Sequence, residues 1–301
     1  MLSISVILLS AIFFPGVIVK TKAKFCGRKG PGILQPWFDI ARLLRKGSVY
    51  STSSSYIFQV GATVYTATVL VAALFIPFDQ YPSLISFPGD FVMFAYLLGL
   101  GRFFIILSAL DVSSGFEGMG ANREAFYSML AEPAFFILMG SLAMFTGYTS
   151  FNEIFANLHY DDYFAIIIAI IAGYVLANFT LVETSRLPVD DPLTHLELTM
   201  VHEVMVLDHS GFDLGLIKIA NNIKFVLFST LSASCFVPQT LALWQQILIY
   251  FGLQLLFAVG IGYIESFRAR NKMAMNAQYI LSISAISLIL IFVIIILNNK
   301  I

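Results

Sequence analysis

The sequence predicts an all-α integral membrane protein with about eight transmembrane helices and amphipathic interfacial helices on the cytoplasmic side. Of its 301 residues, 58% are hydrophobic and only 12% are charged, whereas about 25% of the residues in a soluble domain are charged. Apolar runs of about 20 residues, the length that crosses a bilayer, recur along the chain. This composition excludes a soluble enzyme. The net charge of −1 gives no attraction toward nucleic acid. The apolar runs make the lipid bilayer the expected surroundings.

Eight apolar runs are long enough to span the membrane. They cover residues 2–19, 56–77, 91–110, 125–147, 163–182, 214–234, 242–264 and 279–297. We expect them to form a single polytopic domain over residues 1–301. Because the number of spans is even, both termini should lie on one side. The loops on the other side cover about residues 20–55, 110–124, 183–213 and 265–278.

Basic residues concentrate in these four loops. They are Lys20, Lys22, Lys24, Arg28, Lys29, Arg42, Arg45, Lys46, Arg123, Arg186, Arg268, Arg270 and Lys272. The opposite side carries only Lys300, together with acidic residues such as Asp90 and Glu153. Since Lys and Arg are enriched in cytoplasmic loops, the pattern predicts a multi-pass protein of the cytoplasmic (inner) membrane with both termini extracytoplasmic.

The first of these loops contains a predicted amphipathic helix. After a bend rich in glycine and proline at residues 27–32, Leu34, Trp37, Ala41 and Leu44 recur at helical spacing. Such a helix lies at the membrane surface. Two compatible roles stay open: a surface anchor with its basic residues on phospholipid, or a wall of a cavity for a lipid substrate.

The loop at 183–213 is the most polar part of the chain. Its ionisable residues are Glu183, Arg186, Asp190, Asp191, His195, Glu197, His202, Glu203, Asp208, His209 and Asp213. An apolar stripe from Leu196 through Met200 and Val204 to Leu207 predicts a helix that packs on both faces. Zinc is disfavoured because the histidines are seven residues apart and form no H-E-x-x-H motif. Because His titrates near neutral pH, the loop predicts a proton relay or a polar docking surface.

Four further charged residues, Arg102, Glu132, Lys218 and Lys224, lie in or beside the apolar runs. A charge at the bilayer centre costs about 2.5–3.5 kcal/mol, so each needs a partner, although Lys218 is near enough to the surface to reach water. We predict a polar track from the cytoplasmic loops toward the middle of the membrane. Its proton-path or coupling candidates are Arg102, Asp111, Glu132, Glu183, Asp190, Asp191, His195, Glu197, His202, Glu203 and Lys224. The docking candidates are Arg28, Arg123, Arg186, Asp208 and His209.

The chain itself predicts no redox centre. Its two cysteines, Cys26 and Cys235, are too few for an iron–sulfur cluster, which normally takes four Cys ligands. No phosphate-binding glycine loop is present. We therefore expect no catalytic residue, metal site or cofactor in this chain.

Three ordered motifs resemble one known family. G-R-K-G-P-G-I-L-Q-P at 27–36, A-L-D-V-S-S-G-F-E-G-M-G-A-N-R-E-A at 109–125, and E-T-S-R-L-P-V-D-D-P at 183–192 with H-S-G at 209–211 are similar to the H-subunit family of complex I (NADH dehydrogenase subunit 1). The likeness is closest to its hydrogenase branch, which includes formate hydrogenlyase subunit 4 and hydrogenase-4 component C. Complex I proper has E-x-E-x-E-L after the proline motif, where this chain has Leu193, His195 and Glu197.

This resemblance implies a membrane subunit that docks a hydrogenase-like large subunit and an Fe-S small subunit. It would couple their redox chemistry to proton or sodium movement in antiporter-like membrane subunits. The Fe-S clusters, and any NiFe centre, would belong to the partners. Two alternatives stay open. One is a quinone-binding subunit of an NADH-quinone oxidoreductase, and the other is an autonomous ion transporter, although the inverted repeats of many transporters are not evident.

Overall fold

The computed structural model describes residues 2–78, 82–158, 163–190, 200–237 and 242–298. The regular structure in these ranges is helical, and eight of the helices are long and apolar enough to cross a membrane. The predicted all-α membrane fold with eight spans is confirmed.

In chain order the helices are α1 (Leu2–Phe25), α2 (Gln35–Leu44), α3 (Tyr56–Ala72), α4 (Asp90–Asp111), α5 (Gly115–Thr146), α6 (Phe151–Ala156), α7 (Tyr163–Glu183), α8 (His202–Met205), α9 (Gly211–Ser234), α10 (Leu243–Phe267) and α11 (Met273–Asn298). A 3-10 turn, Ala73–Phe75, extends α3. Helices α2, α6 and α8 are the short ones.

The connections at one end of the bundle carry most of the basic residues. They comprise residues 26–55, 112–114, 184–190, 200–210 and 268–272, and we call this end the basic face. Contacts across these connections hold the face together. For example, Arg270 Nη2 lies 2.9 Å from Asp190 Oδ1, and the Asp208 N–H donates to Glu117.

The predicted spans were too short at the basic face. Helix α1 runs to Phe25, and α5 begins at Gly115, ten residues before the predicted span. The predicted loop at 110–124 is therefore mostly helix, and only residues 112–114 link α4 to α5. Hydropathy missed this segment because its polar side chains lower the local average, whereas the fold buries Glu117 completely.

Helix α2 is present where its apolar spacing predicted it. Pro36 lies in its first turn, a position where the missing N–H costs no hydrogen bond. Ile40 is buried, while Trp37 and Phe38 remain exposed. The helix packs against α9 and α1, so it lies across the bundle at the basic face.

The core joins α4, α5, α7 and α9 through aromatic rings. Phe228 of α9 contacts Phe94, Phe135 and Phe179 with ring centroids 5.2–6.3 Å apart. Helices α3 and α4 approach closely at Gly101, where an added Cβ would lie only 2.3 Å from Thr68 Oγ1. Small residues permit such close packing of helices in membranes.

The helix predicted from the apolar stripe in the third loop is limited, in the described part, to the single turn α8. Met200, Val201, Val204 and Met205 are buried, as the stripe implied, but Leu207 is exposed. This segment is held mainly by packing and by side-chain hydrogen bonds.

Candidate functional site

Two cations from different helices share one buried carboxylate inside the bundle. Arg102 of α4 is hydrogen-bonded to Glu183 at the end of α7, and Lys224 Nζ of α9 lies 2.7 Å from Glu183 Oε2. All three side chains are less than a tenth exposed. Mutual pairing offsets the cost of placing these charges in a membrane interior.

Two acids on α5 complete this group. Arg102 Nε lies 3.7 Å from Glu124 Oε1, and Arg102 Nη1 lies 3.4 Å from Glu132 Oε1. We call Arg102, Glu124, Glu132, Glu183 and Lys224 the charge cluster. Two cations and three carboxylates leave one excess negative charge (2 − 3 = −1) when all are ionised. The cluster can therefore accept a proton and become neutral.

Sequence reasoning missed Glu124. A usable signal was present, because Glu124 and Glu132 are eight residues apart and so lie on the same broad face of a helix, about 80° apart around its axis. The hydropathy pattern placed residue 124 in a loop, where this periodicity carries no meaning. The longer α5 brings both acids against Arg102.

Glu132 differs from the other members of the cluster in its exposure. Its side chain is 50% exposed and faces a groove of about 350 Å³ at the side of the bundle between α4 and α5. The groove is otherwise apolar or aromatic, with Tyr96, Phe103 and Phe136 among its lining residues. Arg102 and Lys224 thus face the bundle interior, while Glu132 connects the cluster to the lateral surface.

Asp111 and Asp190 support the backbone around the charge cluster. Asp111 Oδ2 accepts hydrogen bonds from the N–H groups of Ser55 and Phe58, which are free at the start of α3. Asp190 Oδ2 accepts from the N–H groups of Val201 and His202. Both carboxylates therefore fix the connections around the site.

A cavity of about 330 Å³ lies at the basic face between α1, α2, α9 and the segment after α7. Helix α2 supplies Gln35 and Asp39 to its wall, and α9 supplies Asn221. This agrees with the cavity-wall role considered for α2. Its further polar lining residues are Thr184, Ser185, Arg186, Asp190, His202, Glu203, Lys218 and Asn222.

His202 joins this cavity to α9. Its Nε2 lies 2.9 Å from Asn221 Nδ2. Burial is the largest influence on the ring and lowers the pKa of His202 below its usual value. The neutral imidazole is thus the resting form near neutral pH.

Arg186, a docking candidate, is turned toward α10. Its Nη1 donates to Glu265 Oε1 at 2.7 Å, and its guanidinium lies 5.5 Å from the centre of the Phe225 ring. Lys22 Nζ is 3.6 Å from the other oxygen of Glu265. The ion pair therefore joins α1, α10 and the segment after α7.

The other docking candidates have different environments. Arg28 and Asp208 are exposed, whereas Arg123 Nη1 donates to the Met200 carbonyl at 2.9 Å. His209 is buried and stacks on Phe58 with ring centroids 4.2 Å apart. Of the docking candidates, only Arg28 and Asp208 present largely exposed side chains on the basic face.

The H-S-G motif at 209–211 fastens the first loop to α9. Ser210 Oγ accepts a hydrogen bond from the Val49 N–H. Gly211 has φ +52°, and a Cβ there would lie 2.1 Å from the Gly47 carbonyl oxygen. Only glycine fits this crossing, because a side chain would clash and the backbone is left-handed.

Three site candidates, Asp191, His195 and Glu197, lie outside the described residues. Within the described ranges, no group of three or more His, Cys, Asp and Glu side chains is placed to hold a metal ion. The described side chains of the site can form ion pairs and hydrogen bonds and can exchange protons.

The sequence matches the family model described as NADH dehydrogenase over residues 1–296. The chain belongs to this family, whose members are similar to the H component of complex I. Among curated family relatives, hydrogenase-4 component C of Escherichia coli (strain K12) is 30% identical over 77% of this chain and 73% of its own length. Formate hydrogenlyase subunit 4 of the same strain is 28% identical over 83% of this chain and 79% of its own.

Two more distant proteins are also similar to this chain. The H component of the NADH-quinone oxidoreductase of Rickettsia peacockii (strain Rustic) is 24% identical over 70% of this chain and 63% of its own length. A chain of the membrane-bound sulfane sulfur reductase, an archaeal respiratory membrane complex, superposes with a TM-score of 0.78. It covers 96% of this chain and 97% of its own at 17% identity. The architecture is thus that of a membrane subunit of complex I-like and membrane-bound hydrogenase-type respiratory complexes.

Proposed function

We propose that this chain anchors a soluble redox arm to the membrane and couples its electron transfer to the movement of protons or sodium ions. The observation that carries this proposal is the buried Glu183 carboxylate shared by Arg102 and Lys224. Charged groups inside a membrane are costly and usually serve ion or proton movement. The relatives named hydrogenase-4 component C and formate hydrogenlyase subunit 4 support the same assignment.

The redox arm would dock on the basic face. We place this face on the cytoplasmic side of the inner membrane and both termini on the extracytoplasmic side. Arg28 and Asp208 offer exposed charges there, and Arg123, Arg186 and His209 shape the surface behind them. The partners would be a hydrogenase-like large subunit and an Fe-S small subunit. Any Fe-S cluster or NiFe centre would belong to them.

The proposed coupling path begins at the cavity and ends at the side of the bundle. His202 and Glu203 line the cavity, and the charge cluster lies deeper. Glu132 then leads to the lateral groove. An antiporter-like membrane subunit seated at that groove would cover the half-exposed carboxylate and continue the path.

Quinone binding is a second candidate function, because the cavity is of a size that small lipid-soluble molecules occupy and α2 forms its wall. The similarity to the H component of NADH-quinone oxidoreductase also favours it. A quinone-reductase assay on the assembled complex separates the two redox functions. Turnover that depends on added quinone would replace the hydrogenase-like assignment.

The central test is purification of the chain from its native membrane in mild detergent, followed by identification of the copurifying subunits and by iron and nickel analysis. We expect an iron-containing small subunit, a large soluble subunit and further membrane subunits. Reconstituted into vesicles, this complex should move ions only when electrons are supplied. A chain that purifies alone and transports ions without electron transfer would instead be an autonomous transporter.

A further inference from the structure

Three hydrogen-bonded side chains run from the cavity toward the part of α4 that carries Arg102. Tyr65 Oη of α3 donates to Asn221 Oδ1 at 2.6 Å, and Asn221 Nδ2 lies 2.9 Å from His202 Nε2. His202 and Asn221 both line the cavity. At the other end, the Tyr65 ring packs against Gly101, the residue before Arg102. We call Tyr65, Asn221 and His202 the amide bridge.

The hydrogen-bond directions in the amide bridge depend on the charge of His202. An amide nitrogen can only donate, so His202 Nε2 must accept, which requires a neutral ring with its proton on Nδ1. A protonated ring would direct an N–H against the Asn221 NH₂ group. The amide must then rotate so that Oδ1 accepts from His202 and Nδ2 faces Tyr65 Oη.

Rotation of the amide changes what Tyr65 can do. With Nδ2 facing it, the Tyr65 oxygen accepts, and its hydroxyl proton must turn to another acceptor. The charges of Glu124, Arg102 and Glu183 act on this hydroxyl. Turning the hydroxyl dipole changes the electrostatic potential at these carboxylates and so changes how strongly they hold a proton, because nearby charges and dipoles favour or disfavour the ionised form.

We propose that Asn221 is the positioning residue that transmits the charge state of His202 at the cavity to Tyr65 and the charge cluster by turning its side-chain amide. This inference rests on the proposed coupling function and names an element that performs it. An amide does not relay protons as a carboxyl group or an imidazole does, so the bridge transmits a signal without opening a leak.

Charged groups from several elements surround His202 and set when it changes state. Glu203 and Asp190 favour the cation, whereas Lys224 and Arg102 oppose it. The same cavity also contains Asp39 of α2, Arg186 of the segment after α7 and Lys218 of α9. A negative charge arriving in the cavity would favour the protonated ring and turn the amide.

The test uses the complete complex in sealed vesicles, with ions moved per electron and dye-linked electron transfer measured in parallel. Tyr65→Phe removes the hydroxyl and keeps the ring, and Asn221→Leu removes the amide at similar volume. We expect each to lower the ratio of ions to electrons by more than half, with dye-linked electron transfer within twofold of the wild type. The double variant should be no worse than either single variant, because all act on one connection.

Asn221→Leu should also move the pH midpoint of coupled turnover. Leucine cannot accept a hydrogen bond from a charged imidazole, and hydrogen bonds to charged groups are the stronger ones. The substitution therefore removes more stabilisation from the protonated ring than from the neutral ring. The pH midpoint should fall by about one unit. His202→Gln should abolish this midpoint. Tyr56→Phe on exposed α3 surface and Asn122→Leu on exposed α5 surface are the matched controls, and both should behave as the wild type.

Two results would overturn the inference: an unchanged ion-to-electron ratio in Tyr65→Phe, or additive losses in the double variant. Tyr65→Phe decides the question if Asn221→Leu weakens assembly. If the wild-type complex moves no ions during electron transfer, the coupling function itself fails. If the wild type couples and Tyr65→Phe couples equally, only the amide bridge fails.

Discussion

Lys224 Nζ lies 2.7 Å from Glu183 Oε2, the same oxygen that accepts a hydrogen bond from the guanidinium of Arg102. The two cations come from α9 and α4, and the acid ends α7. Each pair is buried, so neither is screened by water as a surface pair would be. The carboxylate thus joins three helices, and the net charge of the charge cluster can be changed by substituting one of its members.

Replacing Lys224 by Met should impair coupling more than assembly. The cluster would change from one excess negative charge to two, while Arg102 would still pair with Glu183. We expect intact complex by gel filtration, lower thermal stability, and a severalfold loss of ions moved per electron. Lys20→Met in α1 is the matched control, because Lys20 is exposed and lies outside both the cavity and the charge cluster. Equal effects of the two changes would contradict a special role for Lys224.

Glu132→Gln should preserve assembly and dye-linked redox turnover while reducing ion translocation per electron. The amide keeps the shape of the carboxyl group but cannot exchange a proton. Glu153→Gln, outside the charge cluster, controls for loss of an acid elsewhere. Proton uptake by reconstituted vesicles provides the measurement. Unchanged coupling in a fully assembled Glu132→Gln complex would remove this residue from the path.

Arg186→Glu should detach the redox arm if Arg186 is a docking residue, and its contact with Glu265 allows the cause of any detachment to be tested. The new acid would face Glu265, so two carboxylates would repel where an ion pair now stands. Copurification of the soluble subunits measures the effect. Restoration by Glu265→Arg in the double variant would assign the effect to the internal pair. Failure of the swap would favour direct contact between Arg186 and the partner.

The predicted orientation can be tested by cysteine labelling with a membrane-impermeant reagent in intact cells. Tyr148 and Ser51 are exposed at opposite ends of the bundle, and each is changed to Cys in a Cys26→Ser background. We expect labelling at position 148 only. Ser150 in the same loop is unsuitable because it is buried against Asp90. Labelling at position 51 alone would reverse the topology.

His209 should make stability depend on pH. Burial lowers the pKa of His209 to about 4, whereas the unfolded chain has about 6.5. Between these values the unfolded state binds more protons, so stability is complete above about pH 6.5 and decreases as the pH falls toward 4. The loss at pH 5 should be about 2 kcal/mol. Thermal unfolding of the solubilised complex should show a smaller pH dependence for His209→Gln, and an equal dependence would assign the effect elsewhere.

The sequence determined the eight spans, the amphipathic α2 and the family. These follow from consecutive residues, because a bilayer of fixed thickness selects apolar runs of matching length and a helix repeats every 3.6 residues. The same local reasoning located Arg102, Glu132 and Lys224 as charges that need partners. The same reasoning predicted α1 and α5 too short. A hydropathy average over neighbouring residues does not show that the fold buries a polar side chain such as Glu117.

Only the tertiary structure decided which charges meet. The rotation of each helix about its axis depends on packing between residues far apart in sequence, such as Gly101 against Thr68. That rotation brings Glu124 to Arg102, leaves Glu132 facing the lateral groove, and turns Arg186 toward Glu265. It also makes Asp111 a cap for α3. The sequence shows which charged residues need partners, and the packing of the helices determines which partners they contact.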